Sequence, residues 1–180
     1  MIDKERMLLH CCCGPCASYV LEHLTPVYDI SILFYNPNAE PLAEYEKRRS
    51  NLVKLLENAP FASDVKLLEC DYDNAAFVDA VLSLRNQPEG GARCRVCFDL
   101  RLRKTAQRAK EDGYDVFATT MTVSPQKSAK ALNEVGSQLS DELGIPYLVS
   151  DFKKQNGYLR SVELSNQYEL YRQEYCGCEE

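Results

Sequence analysis

Eight of the nine cysteines in this 180-residue chain fall into three tight groups. Cys11, Cys12, Cys13 and Cys16 form one run, Cys94 and Cys97 are spaced Cys-x-x-Cys, and Cys176 and Cys178 lie near the far end; Cys70 stands alone. Thiolate is a soft ligand, so distant segments carrying it in local pairs suit a site where they converge on zinc, iron or an iron–sulfur cluster. Cys13-Gly14-Pro15-Cys16 also has the spacing of a thiol-disulfide oxidoreductase, and a helix beginning there favours the thiolate through its N-terminal dipole. That reading leaves Cys12, a second Cys-x-x-Cys and a third dithiol without a task. One four-sulfur zinc site built from Cys13, Cys16, Cys94 and Cys97 also leaves thiols over, and a surplus beyond four points to more than one metal, or to a cluster with reactive thiols beside it. Cys11 reads as the inward end of a strand and Cys70 as a small buried hydrophobe. Cys176 and Cys178 read either as ligands on a tail folded over the site or as a redox-active pair, whose disulfide bond would be geometrically tight.

The elements that must bring these groups together are legible from periodicity. Apolar runs at 7–9, 28–35, 65–70, 116–120 and 146–149 predict strands, and helical patterns occupy 17–24, 42–58, 75–84, 96–111, 128–143 and 162–172. The alternation predicts an α/β fold with a parallel five-stranded sheet flanked by helices, in a single domain over 1–180. Functional groups in such sheets gather beyond the carboxyl ends of the strands, and here each strand exits into thiols or polar residues.

Composition narrows the classes. The chain is 45% hydrophobic, enough for one ordinary core. Its opening has no apolar leader and it has no apolar run of about eighteen residues, so the expectation is a cytoplasmic protein with no membrane contact, where lasting disulfides are rare. A net charge of −6 argues against a protein that coats nucleic acid. Residues 93–110 nevertheless carry seven Lys or Arg against Asp99 alone, a basic stretch that starts at a cysteine pair and could guide a phosphate backbone.

Seven fragments, in order from residue 10 to 178, resemble the QueH-type epoxyqueuosine reductase family: His10-Cys11-Cys12-Cys13-Gly14-Pro15-Cys16; Phe34-Tyr35-Asn36-Pro37-Asn38; Glu44-Tyr45 with Arg48; Arg93-Cys94-Arg95-Val96-Cys97-Phe98 with Arg101-Leu102; Ser124-Pro125-Gln126-Lys127; Asp151-Phe152-Lys153-Lys154 with Gly157-Tyr158; and Leu170 through Cys178. The resemblance implies a Rossmann-like fold of the adenine-nucleotide α-hydrolase kind. It also implies a cobalamin-independent enzyme that reduces epoxyqueuosine to queuosine at the wobble base of tRNA, using a 4Fe-4S cluster, an additional iron ion and an electron donor. Its metal-ligand pool maps onto Cys12, Cys13, Cys16, Cys94 and Cys97, with Asp71 chosen over Asp151 and Asp99 as the carboxylate, and with Cys176 and Cys178 as redox or ligand thiols. Tyr35, Asn36, Asn38, Arg101, Thr120, Ser124 and Lys127 are the implied substrate contacts. Gln126 stands where the family pattern would carry a histidine, which puts an acid–base role there in doubt, and Cys11 lies outside the motif.

Converting an epoxide to an alkene consumes two electrons and two protons and releases water, so the site needs an electron source, a group to polarise the oxygen and a proton donor. Lys153 and Lys154 are the preferred catalytic candidates for the proton, with Lys127 behind them. The related ATP-dependent tRNA-modifying enzymes need a Gly/Ser-rich phosphate loop after the first strand, where this chain has thiols. The remaining alternatives are thiol–disulfide exchange and a zinc-binding tRNA-interaction module. If the basic stretch meets RNA, Glu at Arg101 and Arg103 is expected to weaken tRNA binding steeply.

Overall fold

In the computed structural model, residues 2–178 are described; Met1, Glu179 and Glu180, the ends of the span read as one domain, lie outside the described residues. The apolar runs form β1 (Glu5–His10), β2 (Tyr28–Leu33), β3 (Lys66–Leu68) and β4 (Val116–Thr119). They pair in the order β3-β2-β1-β4, all parallel. Between and after them run α1 (Gly14–Leu24), α2 (Leu42–Asn58), α3 (Asn74–Val81), α4 (Ala92–Glu111), α5 (Ala129–Leu143) and α6 (Gly157–Gln167). No helix among the described residues is long and apolar enough to cross a membrane.

The side-chain period of two along β1 splits the core into two layers. Met7, Leu9 and Cys11 pack on one face with Val20 and Leu21 of α1 and Leu52 and Leu55 of α2. Leu8, Cys12 and Cys13 pack with Phe98 and Leu102 of α4 and Leu132 and Leu139 of α5. A parallel sheet buried on both faces explains why its strands read as continuous apolar runs.

The sheet has four strands rather than five. Residues 146–149 contribute one isolated parallel bridge, Phe117 to Tyr147. Pro146 has no N–H to offer and serves only as acceptor for Phe117, while Leu148 N–H returns a bond to the Phe117 carbonyl. Beyond it, the Asn133 side chain on α5 takes both the N–H and the C=O of Ser150, satisfying backbone groups that a strand would have paired. Tyr147 locks this segment, its ring 5.0 Å from that of Phe117 and its hydroxyl donating to Asn133. The same ring fills the space above Gly136 of α5, where a Cβ would overlap it. Gly136→Ala is therefore expected to destabilise the fold by about 1–3 kcal/mol, read as a lower urea midpoint.

Helix ends shift for local reasons. The last helix was expected over 162–172. It starts five residues earlier, at Gly157 after the left-handed Asn156, and gives way to a left-handed Glu169. Residues 170–178 carry no helix, and this strap crosses the carboxyl edge of the sheet.

Candidate metal centre

Parallel strand order reverses between β1 and β4, and the crevice beyond their carboxyl ends is the natural binding place of such a sheet. The first cysteine run sits there. β1 delivers Cys12 and Cys13 at its exit, and Cys13 caps α1, whose first turn carries Cys16. The Sγ atoms of Cys12, Cys13 and Cys16 all lie within 4.8 Å of one another, a spacing able to hold a metal ion. Across the crevice Thr120 accepts the Cys12 N–H at 3.3 Å and lies 3.5 Å from its Sγ. Cys11, one residue away, faces the opposite layer and donates its thiol to the Cys13 carbonyl.

Electrostatics make Cys12 the natural thiolate of the three. Hydrogen bonds from Cys13 and Cys16 hold its thiol well below the ordinary range against the cost of burial, with Lys127 and Arg101 adding attraction. The same coupling pushes Cys13 up to about 11 and raises Cys16. Lys127 stays protonated: burial works against its charge, but the neighbouring Cys176 and Cys12 thiols outweigh it. His10 is fully buried and neutral, its pKa pushed down to about 3 by burial and by Arg101, with its ring nitrogens 3.1 Å from Thr119 Oγ1 and 3.0 Å from the Tyr35 carbonyl. It braces the floor of the crevice.

A cavity of about 70 Å³ opens above the triad, lined by Cys12, Cys16, Asn36, Asn38, Arg48, Arg101, Ser124, Gln126, Lys127, Gln173, Tyr175 and Cys176. Asn38 Oδ1, Arg101 Nε and Gln173 Oε1 are buried there without a protein partner. Buried polar groups are rarely left unpaired, so three around one cavity mark it as built for a polar occupant. Arg101 donates to Asn36 Oδ1 at 2.6 Å and contacts Cys97 Sγ at 3.8 Å, which ties α4 to the crevice. Cys94 and Cys176 share a second, more apolar cavity with Lys127, and Cys97 packs with Cys178. The thiols of the three groups thus form one band along the sheet edge. All nine cysteines are free, so no disulfide is present and Cys176 and Cys178 stand as separate thiols. A hydrogen bond from Cys178, helped by Lys127 and Arg101 and opposed by burial, brings Cys176 down to about 5.

Several expected site residues lie elsewhere. Lys153 pairs with Asp151 at 2.9 Å and Lys154 lies 3.9 Å from the same carboxylate; neither lines the thiol cavity. Asp71 is exposed in a separate cavity of about 480 Å³ with Glu69, Cys70, Asp73, Lys104 and Arg108. Tyr35 belongs to that cavity too, while packing in the same layer as Cys12 and Cys13. Asp99 is bound to Arg103. The residues lining the thiol cavity include no carboxylate.

Three of the seven basic residues of the stretch are paired with carboxylates within the fold, and a fourth is buried. Arg95 pairs with Glu134, Arg103 with Asp99 and Glu142, and Arg108 with Asp112, while Arg101 is buried at 2% exposure. The expectation that Arg101 meets RNA at the surface is corrected: the side chain is buried, with Nη1 and Nη2 on Cys97 and Asn36 and Nε left without a protein partner. Gln173 and Tyr175 were not singled out from sequence as lining residues. Their tail has no periodicity, and only its embedding in the cysteine-bearing fragment could have flagged them.

Residues 7–179 match the protein family described as epoxyqueuosine reductase QueH. The chain is 47% identical over 177 residues to the epoxyqueuosine reductase QueH of Streptococcus pyogenes serotype M1, covering 97% of this chain and 69% of that protein. It is 43% identical to the protein of that name from Staphylococcus epidermidis, covering 98% and 76%, and 34% identical to that of Thermotoga maritima, covering 96% and 88%.

Proposed function

This chain belongs to the epoxyqueuosine reductase QueH family, and from that premise we propose that it reduces epoxyqueuosine to queuosine at the wobble position of tRNA, with the thiol cavity as its reaction centre. The observation that carries the reading is the Cys12–Cys13–Cys16 triad at the reversal of strand order, beneath a cavity with three unpaired polar atoms. Strand order and parallel pairing support a Rossmann-like fold of the adenine-nucleotide α-hydrolase type. The reading also carries a cytoplasmic setting and an electron donor protein or reductant as partner.

An all-thiol donor set fits a 4Fe-4S cluster, with the triad, Cys94 and Cys97 as the ligand pool and Cys176 beside it. When bound, such a cluster supplies the electrons of the reduction. The additional iron fits less well, since Asp71, Asp151 and Asp99 all stand outside the thiol cavity, and no step is assigned to it.

The chain's own groups account for binding and protonation. Asn38 Oδ1 and Gln173 Oε1 are acceptors for substrate hydroxyls, and Ser124 and Gln126 widen that polar wall. Arg101 keeps Asn36 oriented, and Asn36 donates to the Cys11 carbonyl at 2.9 Å, fixing the loop that carries the thiols. Tyr175 and Cys176 close the cavity from the tail side and restrict water. Lys127, in the cavity lining with its pKa raised, is the proposed donor of a proton to the departing epoxide oxygen. Lys127→Met is expected to lower kcat by about 100-fold or more, whereas Lys153→Met and Lys154→Met stay within about threefold of the parent, measured by mass spectrometry of nucleosides from treated tRNA.

Thiol–disulfide exchange and a zinc module are not favoured, because the named relatives are reductases and neither reading uses the band of thiols beyond four. Anaerobic purification followed by iron and sulfide analysis tests the reading. About four irons and four sulfides per chain, together with epoxide reduction on tRNA, is the expected result. Stoichiometric zinc without sulfide would overturn it.

A further inference from the structure

The strap that ends at Cys178 has neither helix nor strand, yet it is gripped by one face of α2. Glu44, Arg48 and Asn51 lie a turn apart on that face. Asn51 Oδ1 accepts the Tyr171 N–H at 2.8 Å, and the Tyr171 hydroxyl donates to Glu44 at 3.1 Å. Arg48 donates Nη1 to the Cys176 carbonyl at 2.7 Å, Nη2 to the Tyr175 carbonyl at 3.1 Å and Nε to Glu44 at 2.8 Å. Its side chain is 4% exposed and that of Glu44 11%, so the pair is a buried fork aimed at backbone rather than a surface ion pair. Gly177 allows the approach: its φ is +118°, and a Cβ there would meet Arg48 Nη1 at 2.7 Å. On the other side, the Gly177 carbonyl accepts the Glu40 N–H at 2.8 Å.

We propose that Arg48, braced by Glu44, is a positioning residue for the reduction: by holding the Tyr175 and Cys176 carbonyls it sets the Cys176 thiol against Cys12 and Cys16. The role rests on the reading that the thiol cavity is the reaction centre. Arginine suits it because one rigid planar fork serves two successive carbonyls and a carboxylate together, which an ammonium cannot do in a fixed geometry. A strap with no ladder of its own depends on such contacts to fix the thiol, and among the described residues Arg48 alone holds the carbonyl of Cys176 itself; misplacing a reacting group by about 1 Å can cost on the order of 100-fold in rate.

The test uses anaerobically purified enzyme as isolated, with Arg48→Gln, Arg48→Lys and Glu44→Gln beside the parent. Timed iodoacetamide labelling, read by peptide mass spectrometry, gives the alkylation rate of Cys176 relative to that of Cys70, which lies in a different cavity. In Arg48→Gln and Glu44→Gln the ratio is expected to rise about tenfold or more, with kcat down on the order of 100-fold and the KM for tRNA within about threefold. Arg48→Lys keeps the charge and one carbonyl bond and should recover part of both losses. An unchanged ratio, or equal acceleration at Cys70, which would mean general loosening, overturns the proposal. Should the parent lack epoxide reductase activity, the functional reading falls while the labelling ratio still decides whether the clamp holds Cys176.

Discussion

Cys12→Ser is expected to strip the protein of most of its iron and to reduce turnover by well over 100-fold, while Cys11→Ser, one residue earlier, leaves both nearly intact. Outer-shell partners of metal ligands already cost about 10–100-fold when removed, so a ligand of the triad should cost more. Cys12 has the most strongly lowered pKa of the triad, through hydrogen bonds from Cys13 and Cys16, and its backbone and sulfur both engage Thr120. Cys11 has no exposure and belongs to the other core layer, where serine changes one weak hydrogen bond to the Cys13 carbonyl and buries a hydroxyl, at about 1 kcal/mol of stability. Iron and sulfide content per chain, and epoxyqueuosine reduction on tRNA, check both variants. Equal losses from the two would show that proximity in the chain, not the side of the sheet, governs the site.

Arg101→Ala is expected to cost about 1–3 kcal/mol of stability and to abolish activity, because it leaves a buried acceptor without its donor. Asn36 loses the donor at 2.6 Å, Cys97 loses its contact, and the cavity wall opens. Arg103→Glu, two residues on, breaks half-exposed pairs with Asp99 and Glu142 and should move stability by about 1 kcal/mol. Its tRNA affinity should change by less than about threefold and the salt dependence hardly at all, since a neutralised side chain contributes little counterion release. Chemical denaturation midpoints and tRNA binding at several salt concentrations distinguish the two outcomes. A steep fall in tRNA affinity for Arg103→Glu would restore the surface role expected from charge alone.

The two arginines show what a sequence conveys and what it hides. Along α4 the inward stripe reads Cys97, Phe98, Arg101, Leu102, Thr105, Ala106 and Ala109, all buried. A charge lying on an apolar stripe is a visible sign of an internal role, yet counted with its neighbours Arg101 looks like part of a basic patch. Strand positions were legible because each is an apolar run, and α2 was expected over the residues it occupies, 42–58. The fifth strand was not, because Pro146 and the Asn133 side chain divert its hydrogen bonds, and side-chain substitution for a ladder leaves no periodic mark. The meeting of Cys12, Cys13 and Cys16 was legible from local spacing. The absence of a carboxylate from their cavity was not, since the exits of β3 and β1 point to separate hollows with Tyr35 between them in chain packing. Lys153 and Lys154 had the right chemistry but are held by Asp151, a partner two and three residues away whose claim on them only the turn geometry reveals.

Because β1 ends at His10, immediately before the cysteines, the strand also acts as a counter. Paired residue for residue from Glu5 with Tyr28 to His10 with Leu33, it can add or lose one residue only by turning everything after it over. A single insertion between Met7 and His10 would bring Cys11 to the place of Cys12, facing the crevice, and move the other thiols one place on towards α1, out of the spacing that brings the Sγ atoms of Cys12, Cys13 and Cys16 together. Three successive cysteines therefore do not make the site tolerant of slippage: the place at which β1 ends, rather than the number of thiols, decides which sulfurs are available.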